Sequence, residues 1–425
     1  MEGIAHVTPD STTIDLDSVV FYLHGELNVD SLSLDDQEVK LNQQSVFYSS
    51  DYSLVANRVS FAVSRNGPCR FTTYYQGFFS PSRCRSQSDY MRIDDDGVFL
   101  RSFGYSLWFP ILLEPDEDSY AVDFADVRLR TPVEFTPVFA GERVSEEVAE
   151  GWRISRWHAD HLDVFAAQCT AQKSSVMSEG NVFLYHYEDS VSTAMARNIS
   201  SFVRRLNGRF TELYRTNVFS GQYHIMEMPA YGDISSANVT GITSGIWLTF
   251  ESDERSKRAL AHEMVHPFVE TNTPKSDSLF ALAVEGFPSY FHLPVLAEEF
   301  GQAWYEKKME RTEASYLHKK QTGLGWRDYP VPEEKPLTGI TASEVGIYKD
   351  VFVLDDRALL FLHWLYRQMG RDRFLAFAHE LFNTGPVTLD SFRALILRYL
   401  AAASADLRTW LETTEFPESF HVARN

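Results

Sequence analysis

The stretch RALAHEMVHPFVE, residues 258–270, sets two histidines four positions apart with a glutamate directly after the first. On a helix, residues four apart share a face, so His262 and His266 can present two imidazoles to one metal ion. Glu263 then lies beside them, where a carboxylate can take a proton from a water polarised by that ion. The rival reading is an amphipathic helix that carries these letters by chance, which happens in roughly a few per cent of chains this long. Pro267 cannot donate a backbone hydrogen bond, and its ring crowds the carbonyl of Glu263. A kink at the helix end is expected.

A catalytic zinc takes three protein ligands and keeps one position open for water, so a third ligand decides between these readings. After eighteen intervening residues beyond His266, the run ALAVEGFPSY offers Glu285 on a second helical segment. HExxH, this spacing, and a glutamate followed by Gly-Phe with a tyrosine nearby resemble the gluzincin metallopeptidases of the aminopeptidase N and leukotriene hydrolase type. There the third ligand sits in a pattern close to NEGFAxY; here the corresponding residues are Val284, Glu285, Gly286, Phe287, Pro288, Ser289 and Tyr290. The resemblance implies Zn2+ as cofactor, with His262, His266 and Glu285 as ligands and Glu263 as general base and proton shuttle. It also implies hydrolysis of peptide or amide bonds, in the manner of an aminopeptidase. In that family a tyrosine well beyond the third ligand donates a hydrogen bond to the developing oxyanion. Tyr348, 63 residues after Glu285, is the candidate, with Tyr329 in reserve. Relatives carry this tyrosine in YxKG at a helix start, whereas here the helix is expected to begin near Asp355 or Asp356.

Other parts of the pattern are missing. In the exopeptidases of this family a GxMEN strand runs along the substrate, and its glutamate grips the free α-amine. Gly241, Ile242, Thr243, Ser244 and Gly245 occupy that place here and offer no carboxylate. Thr243, Ser244 and Gly245 therefore stand as substrate-binding candidates without an amine anchor, and Glu227 in HIMEMP substitutes only if the alignment slips. HPFVET replaces the usual aromatic-Gly-Asn run after HExxH. Where relatives often carry an acid supporting a ligand histidine, this chain has His292, which either takes that role or is a lone surface histidine; the second is expected. Ser244 does not form a GxSxG elbow. RWHADH, with His158, Asp160 and His161, reads as an exposed polar turn. These departures spare the metal and the base and fall on the parts that choose the substrate. The alternative to an enzyme is a gluzincin scaffold that binds zinc without turnover, or a substrate-binding module. The intact set of His262, Glu263, His266 and Glu285 speaks against it.

The elements that must position these residues follow from periodicity. Residues up to about 170 form short alternating or β-branched runs such as RVSFAVSR, CRFTTYYQGFF and YAVDFADVRLRTPVEF, punctuated by turn residues, which predicts an all-β domain. CTAQKSSVMSEGN, residues 169–181, is small and polar and reads as a linker. Beyond it strands at NVFLYHYED, QYHIMEMPA and GIWLTFES flank a helix at VSTAMARNISSFVRRLNGRF, and from residue 254 onward helical periodicity dominates. The expectation is a multidomain α+β chain, with an N-terminal β domain over residues 1–172 and an α/β part running into helices over 173–425. The resemblance implies the same order, a saddle-like β domain followed by a thermolysin-like catalytic domain.

At 425 residues the chain is long enough for two or three cores. With 39 basic and 59 acidic residues its formal charge is -20, which repels phosphate backbones and anionic lipid heads. The expected partner is a peptide or amide substrate, with neither nucleic acid nor membrane, for a monomer. No apolar run reaches the length of a membrane span, and the first residues carry neither a basic nor an apolar signal segment. If the sequence is whole, a cytoplasmic location follows. Cys69, Cys84 and Cys169 show no CxxC spacing and are read as free thiols rather than as a Cys69–Cys84 bridge.

Overall fold

The computed structural model describes residues 2–8, 18–49, 54–63, 70–77, 91–94, 97–100, 107–112, 121–163, 169–187, 192–219, 221–228, 234–236, 238–243, 247, 249–269, 273–274, 276–325, 329–341, 344–348, 353–383, 387–401, 404–415 and 420. The chain divides into two compact units, Met1–Ser174 and Ser175–Asn425.

Alternation of apolar and polar residues builds the first unit from antiparallel sheets alone. In one, Phe71–Gly77 lies between Glu2–Val7 and Leu27–Leu34. In another, Leu54–Ala62 lies between Ser18–His24 and Asn42–Ser49. Leu34 pairs with Gln37 across a two-residue turn in which Asp35 and Asp36 both have positive φ, 47° and 64°. This backbone twist matches that of the flanking strands, and short side chains that bond locally tolerate it best. Phe21 stacks on Phe71 at 5.5 Å between ring centroids, and Phe61 meets Phe71 edge-on at the centre of the core.

Two sequence readings are corrected in this unit. RWHADH is not a turn: it lies inside the twelve-residue strand Trp152–Asp163. Trp157 and Ala159 are buried and His158 and Asp160 point outward, so the polar letters are the outer half of a period-two pattern. The polar run starting at Cys169 is not a linker either, because Cys169–Gln172 is a fully buried strand paired with Thr136–Phe139 and Gly97–Leu100. Small polar residues are accommodated there because the strand's backbone groups are paired on both sides. Cys169 is buried and free, and burial pushes its thiol up to about 12. Cys69 and Cys84 lie outside the described residues.

The second unit opens with a five-stranded sheet in the order Ser175–Glu179, Val182–His186, Tyr223–Met228, Val239–Thr243, Ile234–Ser236. The three central strands are parallel and the two outer ones antiparallel to their neighbours. The crossover helix Thr193–Tyr214 starts at Ser192, whose side chain accepts from the Met195 amide, and it buries Ile199, Val203, Leu206, Phe210 and Tyr214. Helices follow at Glu254–Glu263, His266–Val269, Phe287–Phe300, Gln302–Thr322, Ala358–Met369, Arg371–Asn383, Leu389–Tyr399 and Ser404–Glu412. Between Phe287–Phe300 and Gln302–Thr322 the helical run breaks at Gly301, whose φ of 92° suits a residue without Cβ. No helix among the described residues is long and apolar enough to cross a membrane.

Candidate metal centre

His262 is placed by the last turn of the helix Glu254–Glu263. Asp253 caps its start by accepting from the Arg255 amide at 2.9 Å, and Glu254 adds negative charge to the first turn. The helix tightens at its other end: the Val265 amide donates to the His262 carbonyl, three residues back rather than four. His266 then opens a separate short helix, so the kink expected from Pro267 falls just before His266. The two imidazoles still converge. His262 Nε2 and His266 Nε2 are 3.1 Å apart, and Glu285 Oε2 is 3.7 Å from His262 Nε2. Two donors at ordinary zinc distances and a tetrahedral angle lie about 3.3 Å apart, so both separations from His262 Nε2 are of the size that ligands of one zinc ion take. Glu263 joins the group, with ligand atoms of His262, Glu263 and His266 all within 4.8 Å of one another. His262 is the most open of the four, as a site that admits a substrate requires.

Glu285 is carried by a π turn, Leu282–Gly286, in which the Phe287 amide reaches back to the Leu282 carbonyl. The turn packs against a second π turn, Val353–Arg357, at the start of the Ala358–Met369 helix. A Cβ on Gly286 would sit 2.5 Å from Leu282 Cδ1 and 2.9 Å from Ala358 Cβ. Glycine is thus required beside the third ligand because the neighbouring helix approaches its backbone.

His292 follows on the same helix and corrects the expectation of a surface residue. It is 3 % exposed, because the Phe287–Phe300 helix is covered on nearly every face in its first half. Its Nδ1 donates to the Pro288 carbonyl at 2.6 Å, and its ring meets that of His262 at 5.7 Å between centroids, edge to face. Burial first, and the neighbouring His262 second, hold its pKa well below the usual imidazole range.

The remaining candidates are scattered. Tyr348 ends the short helix Val345–Tyr348, which packs against the second π turn, and its hydroxyl donates to the Glu333 carbonyl at 3.0 Å. Tyr348 makes no hydrogen bond to the histidines or to Glu285, and Tyr329 is exposed. Thr243 ends the strand Val239–Thr243, which is paired on both edges, while Ser244 and Gly245 lie outside the described residues. The strand that ends the sheet is Ile234–Ser236, and it packs against the His266–Val269 helix. Sequence reasoning missed this short strand, whose signal is no more than three residues between turn-forming neighbours. Glu227 lies fully buried on the interior strand Tyr223–Met228 and accepts the Tyr187 amide at 2.9 Å, which fits it for holding the chain after Val182–His186.

A β-sheet unit followed by an α/β unit that runs into helices matches the two-domain architecture of solved M1 zinc metallopeptidases. The chain is similar to an M1 zinc metallopeptidase from Deinococcus radiodurans, solved with a Tyr-Ser-Ala substrate: TM-score 0.73, 16% identity, 99% of this chain and 92% of that one covered. It is also similar to the native leukotriene A4 hydrolase of Saccharomyces cerevisiae, with TM-score 0.72, 13% identity, and 99% of this chain against 66% of that one. The yeast hydrolase in complex with bestatin gives TM-score 0.70 at 14% identity, over 99% of this chain and 66% of that chain. At these identities the likeness is one of fold. No family model matches the chain, and no curated protein matches it.

Proposed function

We propose that this protein is a zinc-dependent, aminopeptidase-like metallopeptidase that hydrolyses peptide or amide bonds. The observation that supports this most is the convergence of His262, His266 and Glu285 beside Glu263, within the fold of the M1 enzymes. In this reading the two imidazoles and the Glu285 carboxylate hold the ion. Bound zinc supplies Lewis acidity toward a water and toward the scissile carbonyl. Glu263 takes the proton from the attacking water at its carboxylate and delivers it to the leaving amine. Tyr348 is the proposed donor to the oxyanion; to serve, its hydroxyl exchanges the Glu333 carbonyl for the substrate oxygen.

Substrate backbone is proposed to lie along the sheet margin formed by Ile234–Ser236, which packs against the His266–Val269 helix. Neither Ile234, Ser235 and Ser236 nor Thr243, Ser244 and Gly245 bring a carboxylate, so a free α-amine finds no anion there. The second reading, a scaffold that binds zinc or substrate without turnover, is favoured by that missing anchor alone. Zinc content, measured together with turnover of amino-acid anilides and of N-blocked peptides, separates the readings. One zinc per chain with hydrolysis is expected. Zinc without hydrolysis across a broad peptide panel would leave the scaffold standing, and cleavage of blocked peptides alone would remove the aminopeptidase version.

A further inference from the structure

His262 and His292 each carry an unanswered ring nitrogen. His262 turns Nε2 toward His266 and Glu285, so its Nδ1 must bear the proton when Nε2 holds a metal. That N–H needs an acceptor, and metal-bound histidines almost always find one. His292 has the opposite deficit. With Nδ1 donating to the Pro288 carbonyl, Nε2 keeps its lone pair, and that atom is buried with no hydrogen-bond partner. A buried acceptor left in this state costs about 1–3 kcal/mol, which a native fold rarely leaves unrecovered. The two rings face each other edge to face at 5.7 Å between centroids, at an interplanar angle of 75°.

We infer that His292 is a positioning residue for the metal site: its Nε2 accepts the Nδ1–H of His262 and fixes the tautomer that aims His262 Nε2 at the ion. The inference rests on the zinc reading above and adds to it the device that orients one ligand. The acceptor is an uncharged imidazole on the helix that follows the third ligand, two turns beyond Glu285. The Pro288 carbonyl completes the chain, so its order is ion, His262, His292 and backbone of the same helix. A shift of that helix therefore reaches His262 through a hydrogen bond as well as through packing.

The test is made on the full chain with zinc as the probe. His292→Gln keeps an acceptor oxygen where Nε2 stands, whereas His292→Leu keeps volume and removes the acceptor. By competition against a chelator, the leucine variant is expected to bind zinc 10–100-fold more weakly, with the glutamine variant close to the parent. Equal affinity in a folded leucine variant would overturn the inference, as would an equal loss in both variants, which would mark a packing effect. Should either variant fail to fold, nitrogen-15 histidine spectra of the zinc-loaded parent decide. His292 is expected as the Nδ1–H tautomer with His262 Nδ1–H slow to exchange, and an Nε2–H tautomer of His292 overturns the inference. A parent chain that binds no zinc would instead remove the zinc reading itself.

Discussion

In the proposed reaction Glu263 and the histidines beside it divide the labour of the site, and single substitutions can separate them. Glu263→Gln keeps size and hydrogen-bonding reach and removes the basic oxygen. It is expected to retain zinc and to lose kcat by about 100-fold or more, measured by steady-state kinetics beside metal analysis. A second residue-scale effect lies away from the metal. His363 is buried, and burial pushes its imidazole down to about 3; its Nδ1 accepts the Tyr305 hydroxyl, which in turn meets that of Tyr290. Its folded pKa lies below the unfolded value of about 6.5, so between these limits the unfolded chain binds the extra proton. Stability is therefore lost as pH falls through that window, by roughly 1 kcal/mol per pH unit from this group. His363→Asn keeps an acceptor for Tyr305 and should flatten the acid limb of stability measured by denaturant titration. At this scale the approach of His266 and Glu285 to His262 was legible in the HExxH spacing and in the family resemblance that pointed to Glu285. The burial of His292 was not, since it depends on the helices that cover it, and these are remote in sequence.

Elements fix which of these residues can meet. Arg357, in the second π turn, is completely buried and gathers partners from three parts of the chain. It donates to the Tyr316 hydroxyl and to Glu334, and to the carbonyls of Thr409, Trp410, Thr413 and Glu415 at the end of the Ser404–Glu412 helix. The guanidinium thus gathers carbonyls at and just beyond the end of that helix and answers the negative end of its dipole. Arg357→Met should cost about 3 kcal/mol, read by chemical denaturation, because it strands a carboxylate and several carbonyls together. The sequence displayed the helices by periodicity but concealed both π turns, since one extra residue in a turn leaves an apolar run looking continuous. It likewise hid the strand character of RWHADH, where the outward half of the alternation dominated the reading. The sheet-edge strand Ile234–Ser236 is too short for any periodic signal.

In the whole molecule the order of a β unit before an α/β and helical unit was legible, because strand and helix periods differ. The division between Ser174 and Ser175 lies two residues from the boundary read at 172, between the buried strand Cys169–Gln172 and the partly exposed strand Ser175–Glu179 rather than in an exposed linker. All four residues of the metal cluster belong to the second unit. Zinc that binds only the folded state stabilises by about 2.7 kcal/mol at a hundredfold excess over its Kd. Removing it with a chelator should lower the calorimetric transition of the second unit and leave that of the first in place. A shift of both together would show that the units unfold as one.

The π turn at Leu282–Gly286 finally bears on how this chain may be altered. Because the turn holds one residue more than an α-helix would, deleting one of its positions lets the segment close as a regular α-helix, which keeps the helix downstream on its face while removing the wider turn that carries Glu285. Such a deletion would leave His292 on the side that looks toward His262 and displace Glu285 from it. Length in this segment is thus a constraint of its own, added to those on the identities of Glu285 and Gly286.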